Sequence, residues 1–564
     1  MDEQDVSVLV VGAGLAGLSA ALTLAQRGTR PLVIERRSAL SPHPRARGLN
    51  MRSMELLRTA GLEEQLCTRS SGTFGDFTVI HAESVTGPVH KTIVQRGAWE
   101  VGLSPARSSG MVQSQVEPIL MRRAVELGAE VRFSAGLLEL EEKPTHVRAI
   151  IRDRNAAEPY VVRAKHVLGA DGHRSTVRSV LGIGTTGAGL LSSHIAIIFT
   201  ADRDLPGHSI YYLRQKDFAA AFIHMDDSGI SVLSVETPGQ QLPLSECTPE
   251  RCLEYVRRGL GTSDYGITVL DVMRYDMASF LADRFSTERV HLIGDAAHTM
   301  PPIGGLGGQA AIQDGFDIGW KLDLALRGVA GPALVRSYAA ERRSVAELTV
   351  AHQTGKYFQR MRPDKMNGAP GPDERLALGV AFGYRYRSGC LLLEEPDNDL
   401  ACEDPATLNG RPGTRVPFVP LERHGETTSV LDHIGGDFLL VAGPAGRAWI
   451  EAAERLKEEF TVPLSTLHIS TDVTDPAGDW TDRHGIAGDG ALLVRPDGFV
   501  TWRSSGIHEH YGTLRHAMSV ALGRSTARPA FETSEMPDSL LAPTEVFSED
   551  EAAEIRPLVS ESRS

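Results

Sequence analysis

Apolar residues run along this chain in three rhythms, and each predicts a different kind of module. A β-branched run at 6–11 gives way to an alanine- and leucine-rich stretch at 16–27, then to a short apolar run at 31–35. Strand, helix and strand in that order open a βαβ unit. Further helices are expected at 51–59 and 116–128, with strands at 130–133 and 166–170. From Ser192 to about Phe280 the rhythm shortens to alternating runs such as 193–200 and 228–235, the period-two pattern of an antiparallel sheet. A buried strand at 290–294 and long helices at 309–327 and from 332 through the 350s restore the first rhythm. Stretches rich in Pro, Gly and charge at 361–376 and 394–415 interrupt it. Beyond them, strands at 438–442, 467–471 and 491–494 alternate with a helix at 448–459, giving a small separate α/β domain that ends near 525.

Composition narrows the function classes. The 564 residues are 41% hydrophobic and 23% charged, as in soluble globular proteins, and long enough for three or four cores. With 58 basic and 72 acidic residues the net charge is −14, which argues against nucleic acid or an anionic membrane as partner. Nine acids against two bases lie within 531–564, so half of that charge belongs to a Pro/Ser/Glu-rich tail (526–564) expected to be disordered. Five scattered cysteines without a C-x-x-C pair suit reduced thiols in a cytoplasm, not a disulfide framework or a zinc site. Residues 6–25 carry no charge and are long enough to span a bilayer. They follow Asp2, Glu3 and Asp5 rather than a basic segment, and glycines cluster inside them, so strand–turn–helix is the better reading.

Three motifs carry the chemistry. Gly12, Gly14 and Gly17 form G-x-G-x-x-G between strand and helix: the first allows the tight turn, the second an approach to a pyrophosphate, the third close helix–strand packing. Glu35 ends the second strand 18 residues later, where an acid can accept from a ribose diol. Alone the glycines would mark an ordinary turn; with strand, helix and acid in register they predict dinucleotide binding. Next comes Asp171-Gly172 after a strand, with Arg174 and Arg178 downstream; by itself it reads as a helix-capping loop. Last, 291–322 runs a buried strand into Gly294-Asp295, Pro301-Pro302, a loop with glycines at 304, 305, 307 and 308, and a helix whose Gly315 and Gly319 permit close packing. A glycine-rich loop aimed by a helix N-terminus is an anion site, suited to an electron-rich ring that becomes negative on reduction.

In that order and spacing the motifs resemble the FAD-dependent aromatic hydroxylases of the para-hydroxybenzoate hydroxylase superfamily, in the branch with phenol hydroxylase and the aromatic polyketide hydroxylases of antibiotic biosynthesis. The likeness spans about 5–525. G-x-R-x-P at 413–417 and the run 488–503 resemble that family's thioredoxin-like domain, here without a redox C-x-x-C. The implied fold class is α/β: a Rossmann-like FAD-binding domain (1–190 and 281–400), an antiparallel-sheet substrate domain (191–280) and a C-terminal thioredoxin-like domain (401–525). The resemblance implies that Gly12, Gly14, Leu15, Ala16 and Gly17 hold the FAD pyrophosphate and Glu35 the adenosine ribose. It places Arg45 and Arg47 along FAD near the nicotinamide approach, Gln113 at the ribityl and ring region, Asp171 at FAD and NAD(P)H, and Asp295 at a flavin-chain hydroxyl. Pro302 and the loop Gly304, Gly305, Gly307 and Gly308 would line the reactive edge. Family members often carry Asn after the last loop glycine, where this chain has Gln309.

The implied activity is a monooxygenase that uses NAD(P)H and O₂ to hydroxylate a phenolic or polycyclic aromatic substrate through a flavin C4a-hydroperoxide. Baeyer–Villiger insertion or ring rearrangement on the same scaffold is the alternative, separated by product mass and NMR. A non-catalytic FAD-binding redox sensor would show no substrate-stimulated oxygen uptake. A halogenase is disfavoured, because none of the five tryptophans sits in W-x-W-x-I-P. His508-Glu509-His510 lacks a third ligand, so no metal is expected. Tyr384, Arg385, Tyr386 and Arg387 read either as interdomain packing or as phenol and guanidinium groups lining a polyphenol pocket; Arg385 is the one candidate there for a catalytic part. The alternating region offers His194, Tyr211, Tyr212, Phe222, His224 and Met225 as pocket residues without saying which face inward. No role falls to His298 beyond packing near the cofactor, and a small aromatic molecule is the expected partner, with room for a homodimer.

Overall fold

The computed structural model describes residues 3–43, 46–68, 77–95, 102–154, 156, 158–207, 209–225, 229–237, 244–366, 371–372, 376–504 and 509–525. Its first sheet is built on the predicted βαβ unit. The buried strand Glu3–Val11 pairs in parallel with Leu32–Glu35 on one side and Tyr160–Gly169 on the other, and Glu130–Phe133 extends it beyond Leu32–Glu35. The ten-residue strand Tyr160–Gly169 divides its outer edge. Its first half pairs antiparallel with Val147–Asp153, which carries Ala135–Glu142, and its last three residues pair in parallel with Val290–Leu292. The sheet is thus assembled from both sides of the alternating region. Its parallel strands finish at one edge, where helices begin.

The second sheet has eight strands, in the order His298–Thr299, Ile267–Ala282, Thr185–Ala201, Ile230–Glu236, Phe218–Met225, Ser209–Gln215, Phe77–Ala82 and Val89–Gln95. It departs from the sequence reading in two ways. Two strands come from 77–95, far upstream of 191–280, and Ser209–Gln215 pairs with Phe77–Ala82 in parallel. Alternation identifies a strand but not its neighbour, so a partner 130 residues away leaves no local mark. One face packs on helix Pro249–Leu260 around Ile195, Phe199, Phe222, Leu233 and Val256. The other faces the 30-residue helix Pro332–Met361.

The C-terminal domain is a four-stranded sheet in the order Leu464–His468, Phe438–Ala442, Ala491–Val494, Val500–Ser504, parallel at its first pair and antiparallel elsewhere. Helices Arg447–Phe460 and His510–Ala521 cover one face, a thioredoxin-like arrangement. That face shares a core with the first domain: Trp449, Phe438 and Met518 pack with Phe316, Trp320 and Leu324 of helix Leu306–Leu326. The acidic tail and His508 lie outside the described residues; Glu509 caps the last helix through Gly512 N, and His510 packs edge-on against Trp449. Among the described residues no helix is long and apolar enough to cross a membrane.

Candidate active site

The three motifs emerge together where the parallel strands end. Gly12 takes φ 111°, and a Cβ there would lie 2.3 Å from the Ala170 carbonyl oxygen; one on Gly17 would lie 2.0 Å from the Gly12 oxygen. Both positions therefore require glycine. Gly14 differs: its Cβ would meet only Glu117 Oε1, at 3.8 Å, so this stretch of backbone faces open space. Glu35 braces the turn, accepting from Ala13 N at 3.0 Å and Arg37 N at 2.9 Å.

Two helix N-termini meet above that turn. Helix Leu15–Gln26 starts at Gly14 and helix Leu306–Leu326 at Gly305 (φ 69°), and neither start has a side-chain cap. The first amides of a helix have no partner within it, and the macrodipole adds positive potential there. A Cβ on Gly308 would stand 3.2 Å from Leu15 Cδ1, so the two starts almost touch. The narrow cleft between them is lined by Leu15, Gly48, Met111, Gln113, Gly308 and Gln309. Uncapped amides and absent side chains make this a cradle for a phosphorylated, flat ligand.

Polar side chains fix the cradle walls. Gln113 gives its amide to Glu117 Oε1 (2.7 Å), and its backbone N–H to Ala46 O (2.8 Å). Gln309, buried, accepts from Asn50 N and donates to Gly48 O at 2.9 Å, tying the start of its helix to strand Arg47–Leu49. The departure from Asn thus supplies a cross-brace. Arg45 lies outside the described residues, and of Arg47 the backbone is described but not the side chain.

The other two motifs take different parts. Asp171 accepts from Ser175 Oγ at 2.5 Å and Val177 N at 3.1 Å, so it organises the start of helix Thr176–Val180 beside Gly12. Gly294 (φ 59°) brings the second turn against the glycine helix, its Cβ position 2.8 Å from Ala16 Cβ, and leaves Asp295 exposed next to it. Pro302 and Gly304 are exposed in the following loop, where Gly305 N donates to Pro302 O.

Beneath that loop lies a buried network the sequence did not suggest. Asp314 accepts from Gly294 N (2.9 Å) and His298 Nε2 (2.7 Å) on one oxygen and from Arg342 Nε (2.7 Å) on the other. Arg342 continues to the Tyr386 hydroxyl, and Tyr384 donates to Gln313 Oε1. Burial opposes the charge of Asp314, but Arg342 and His298 hold its carboxyl below the ordinary range. His298 is a buried partner of that carboxylate, which suits the packing role it was given.

Arg385 is a correction. It is 3% exposed and bound to Asp397 Oδ1 and Asn398 Oδ1 at 2.6 Å each, with Glu403 3.4 Å away. Backbone alternation sends Tyr384 toward Gln313 of helix Leu306–Leu326, Tyr386 toward Arg342 of helix Pro332–Met361, and Arg385 the opposite way, into the 397–403 loop. Its guanidinium is a structural tie, not a pocket group.

The chain matches the family described as FAD binding domain over residues 5–353, and the one described as aromatic-ring hydroxylase, C-terminal, over 409–525. It is an FAD-dependent aromatic hydroxylase. Aklavinone 12-hydroxylase RdmE of Streptomyces purpurascens is 40% identical over 89% of this chain and 96% of its own. A 4-methyl-5-nitrocatechol 5-monooxygenase of Burkholderia sp is 37% identical over 90% and 95%. A crystal structure of aklavinone-11 hydroxylase in ternary complex with FAD and aklavinone superposes at TM-score 0.86, with 37% identity, covering 93% of this chain and all of that one. FAD is therefore the cofactor of this hydroxylase, with NAD(P)H and O₂ as co-substrates, and the two uncapped helix starts fit its pyrophosphate and ring.

The sheet face opposite helix Pro249–Leu260 turns toward helix Pro332–Met361 and Ile303 of the glycine-rich loop. Of the six alternating-region candidates, Tyr211, Phe222 and His224 belong to the other, fully packed face, whereas His194 and Tyr212 face helix Pro332–Met361; the side chain of Met225 is not described. Met277, Ile303, Tyr357 and Met361 form an apolar patch between wall and flavin loop. Beside it runs a chain of polar groups. Tyr357 donates to Ser192 Oγ (3.1 Å), Ser192 Oγ meets His194 Nε2 (2.8 Å), His194 Nδ1 meets Ser234 Oγ (3.3 Å), and Ser234 meets the Tyr275 hydroxyl (2.5 Å). Burial drives His194 down to about 4 and Tyr275 up to about 12, so both are neutral at pH 7. Alternation had marked His194; the chain it belongs to links three strands and a helix and has no signature in sequence.

Proposed function

We propose that this hydroxylase acts on a multi-ring phenolic compound held between the sheet wall and the loop 302–308. The observation that carries the reading is the half-buried, largely apolar wall around Tyr212, Tyr275 and Met277, facing the loop across Ile303. Such a surface suits a flat fused-ring molecule, with a few polar groups to orient it. The named activities of the relatives, on aklavinone and on a nitrocatechol, support an electron-rich ring.

Bound FAD supplies the oxygen-transfer chemistry, and the protein supplies position, dryness and proton control. Gly12–Gly17 and the start of helix Leu306–Leu326 would hold FAD by backbone amides. Arg45 and Arg47, with Asp171 and Asp295 at the neighbouring turns, belong to the same proposed cofactor surface. A phenol is activated by losing its proton, and the neutral chain from Tyr275 to Tyr357 offers hydroxyls and an imidazole able to pass one along. A cytoplasmic location suits cysteines that form no disulfide among the described residues, and a homodimer belongs to the same reading.

The test uses the FAD-loaded protein with NADPH in an oxygen electrode. Hydroxyanthraquinones should stimulate oxygen uptake above single-ring phenols, and the product should gain one oxygen by mass. NADPH oxidation indifferent to every aromatic offered would overturn the proposal.

A further inference from the structure

We infer that the outer end of the sheet wall is an anion subsite, where Arg214, Lys91 and His81 take a carboxylate carried on the substrate's ring system. The inference rests on the reading that the substrate lies along this wall. Strand register puts the groups in line. Tyr212 pairs with His81 of strand Phe77–Ala82, and His81 with Lys91 of the edge strand Val89–Gln95. The Tyr212 and His81 rings stand 5.4 Å apart, centroid to centroid. Arg214, two residues beyond Tyr212, belongs to the same face of its strand. From helix Pro332–Met361, Arg360 donates to the Tyr212 hydroxyl.

The basic groups converge on one point. His81 is held below the ordinary histidine range by burial first, then by Lys91, Arg360, Arg214 and His90. Acids of the same region are engaged elsewhere: Asp217 pairs with Arg258 and Glu236 with Arg362, while Glu83 is exposed just past its strand. Individual members have structural explanations. Arg214 donates to the Met361 carbonyl at the end of helix Pro332–Met361, where the macrodipole favours a cation, and a lysine discourages pairing at a sheet edge. Neither explanation requires the charges to crowd around one half-buried imidazole. Crowded like charge is unfavourable without a counter-ion, and an anion relieves it.

The position is open to a ligand. Lys91 and Arg214 are exposed and His81 is half-buried, so the cluster is reached from solvent. On the side toward strand Ile230–Glu236 the same face is small and apolar: Ala221 and Ala219 stand half-buried opposite Tyr212 and Arg214. Tyr212 itself packs in the patch that contains Met361 and Ile303. Neighbouring strands are about 4.8 Å apart, so a ring against Tyr212 carries a substituent to His81 in one step and to Lys91 in two. A carboxylate is the matching anion, because its two oxygens accept from a guanidinium, an ammonium and an imidazole N–H together.

The probes are anthraquinone-2-carboxylate and its neutral isostere anthraquinone-2-carboxamide, titrated into FAD-loaded protein with the flavin absorbance as readout. Wild type should bind the carboxylate at least about fivefold tighter than the amide, an advantage that shrinks as sodium chloride rises from about 20 to about 300 mM. Arg214→Gln and Lys91→Gln should each weaken carboxylate binding roughly 3- to 30-fold and leave the amide within about twofold. Lys91 is exposed, so its variant carries the test if loss of the Arg214 tie to Met361 unfolds the helix end. Equal affinity for the two probes in wild type, or an advantage that survives both substitutions, overturns the inference. So does a rise in the KM for NADPH with the probe ratio intact, which would give the cations to the phosphates of the co-substrate. If wild type binds no fused-ring aromatic at all, the proposed substrate class falls and the inference with it; a bound amide without preference for the carboxylate sinks the inference alone.

Discussion

Replacing Arg495 by Met should destabilise the whole protein, although the residue lies in the C-terminal domain. Its guanidinium reaches between helices Leu306–Leu326 and Pro332–Met361 and binds both oxygens of Glu341 at 2.8 and 2.9 Å, Asp497 through Nε at 3.1 Å, and stands 3.5 Å from Asp317. Lys321 completes the cluster, 2.7 Å from both Asp317 and Glu341. All five side chains are buried. Two cations thus face three carboxylates. Burial and the nearby Glu341 outweigh Lys321 and push Asp317 up to about 7, while Arg495 and Lys321 overcome burial and pull Glu341 down to about 2. Without Arg495, three carboxylates keep a single ammonium, and stranding a buried charge in this way costs about 3–5 kcal/mol. Loss of the guanidinium from its seat over Trp320 and Tyr386, at 5.2 and 5.1 Å, adds about 1 kcal/mol. Adding Glu341→Gln removes one anion with the cation, so the double variant should recover at least about 2 kcal/mol relative to the sum of the singles. Urea unfolding of the FAD-loaded protein, followed by far-UV circular dichroism and flavin fluorescence, measures both quantities. A cost for Arg495→Met below about 1 kcal/mol, or strict additivity in the double variant, would refute the argument.

Three further outcomes follow from the same geometry. Gly315→Ala should destabilise by a net ~1–3 kcal/mol and weaken FAD binding despite better helix propensity, because its Cβ would lie 2.5 Å from Ala16 O and 2.7 Å from Ala20 N, which are backbone and cannot yield; a variant at least as stable as wild type would contradict this. Burial depresses His166, His194 and His484 to about 4 and His291 to about 3. The unfolded chain therefore binds more protons below pH 6.5, and stability should fall as pH drops from 6.5 toward 4, by the order of 1–3 kcal/mol per histidine. Asp317 acts with the opposite sign over about pH 4–7, since its raised value favours the folded state at low pH, but it is one group against four; a midpoint in urea that is flat or rising on acidification would count against the assignment. Glu35→Ala should raise the FAD dissociation constant about 5- to 30-fold by freeing the Ala13 and Arg37 amides it holds, read by fluorescence titration.

The legible parts of this protein were those whose cause is local. Gly17 is imposed by a backbone contact to Gly12 inside one βαβ unit, and Gly12 by the left-handed φ of its own turn, so the sequence around them announces both fold and ligand. Strands 130–133, 438–442 and 491–494 match the structure residue for residue, the last two because short buried runs flanked by turns leave little freedom. What failed to show depends on partners distant in the chain. The pairing of Phe77–Ala82 with Ser209–Gln215, the turn of Arg385 toward Asp397, and the convergence of Asp314, His298 and Arg342 are each decided by tertiary packing.

One element accounts for how these distant parts bear on the cofactor. Helix Leu306–Leu326 is 21 residues, about 30 Å of rigid rod. Its uncapped first turn is the flavin loop's anchor. Its third turn carries Asp314, which fixes the Gly294 bend and Arg342. The next turns present Asp317 and Lys321 to Arg495, and Phe316, Trp320 and Leu324 to the C-terminal core. Gly315 and Gly319 let the glycine-motif helix lie against the same rod at backbone distance. The thioredoxin-like domain holds the far end of the rod whose near end opens the cofactor cradle. Because a helix is rigid, packing at that far end bears on the angle and depth of its first turn, and so on the distance between two helix N-termini.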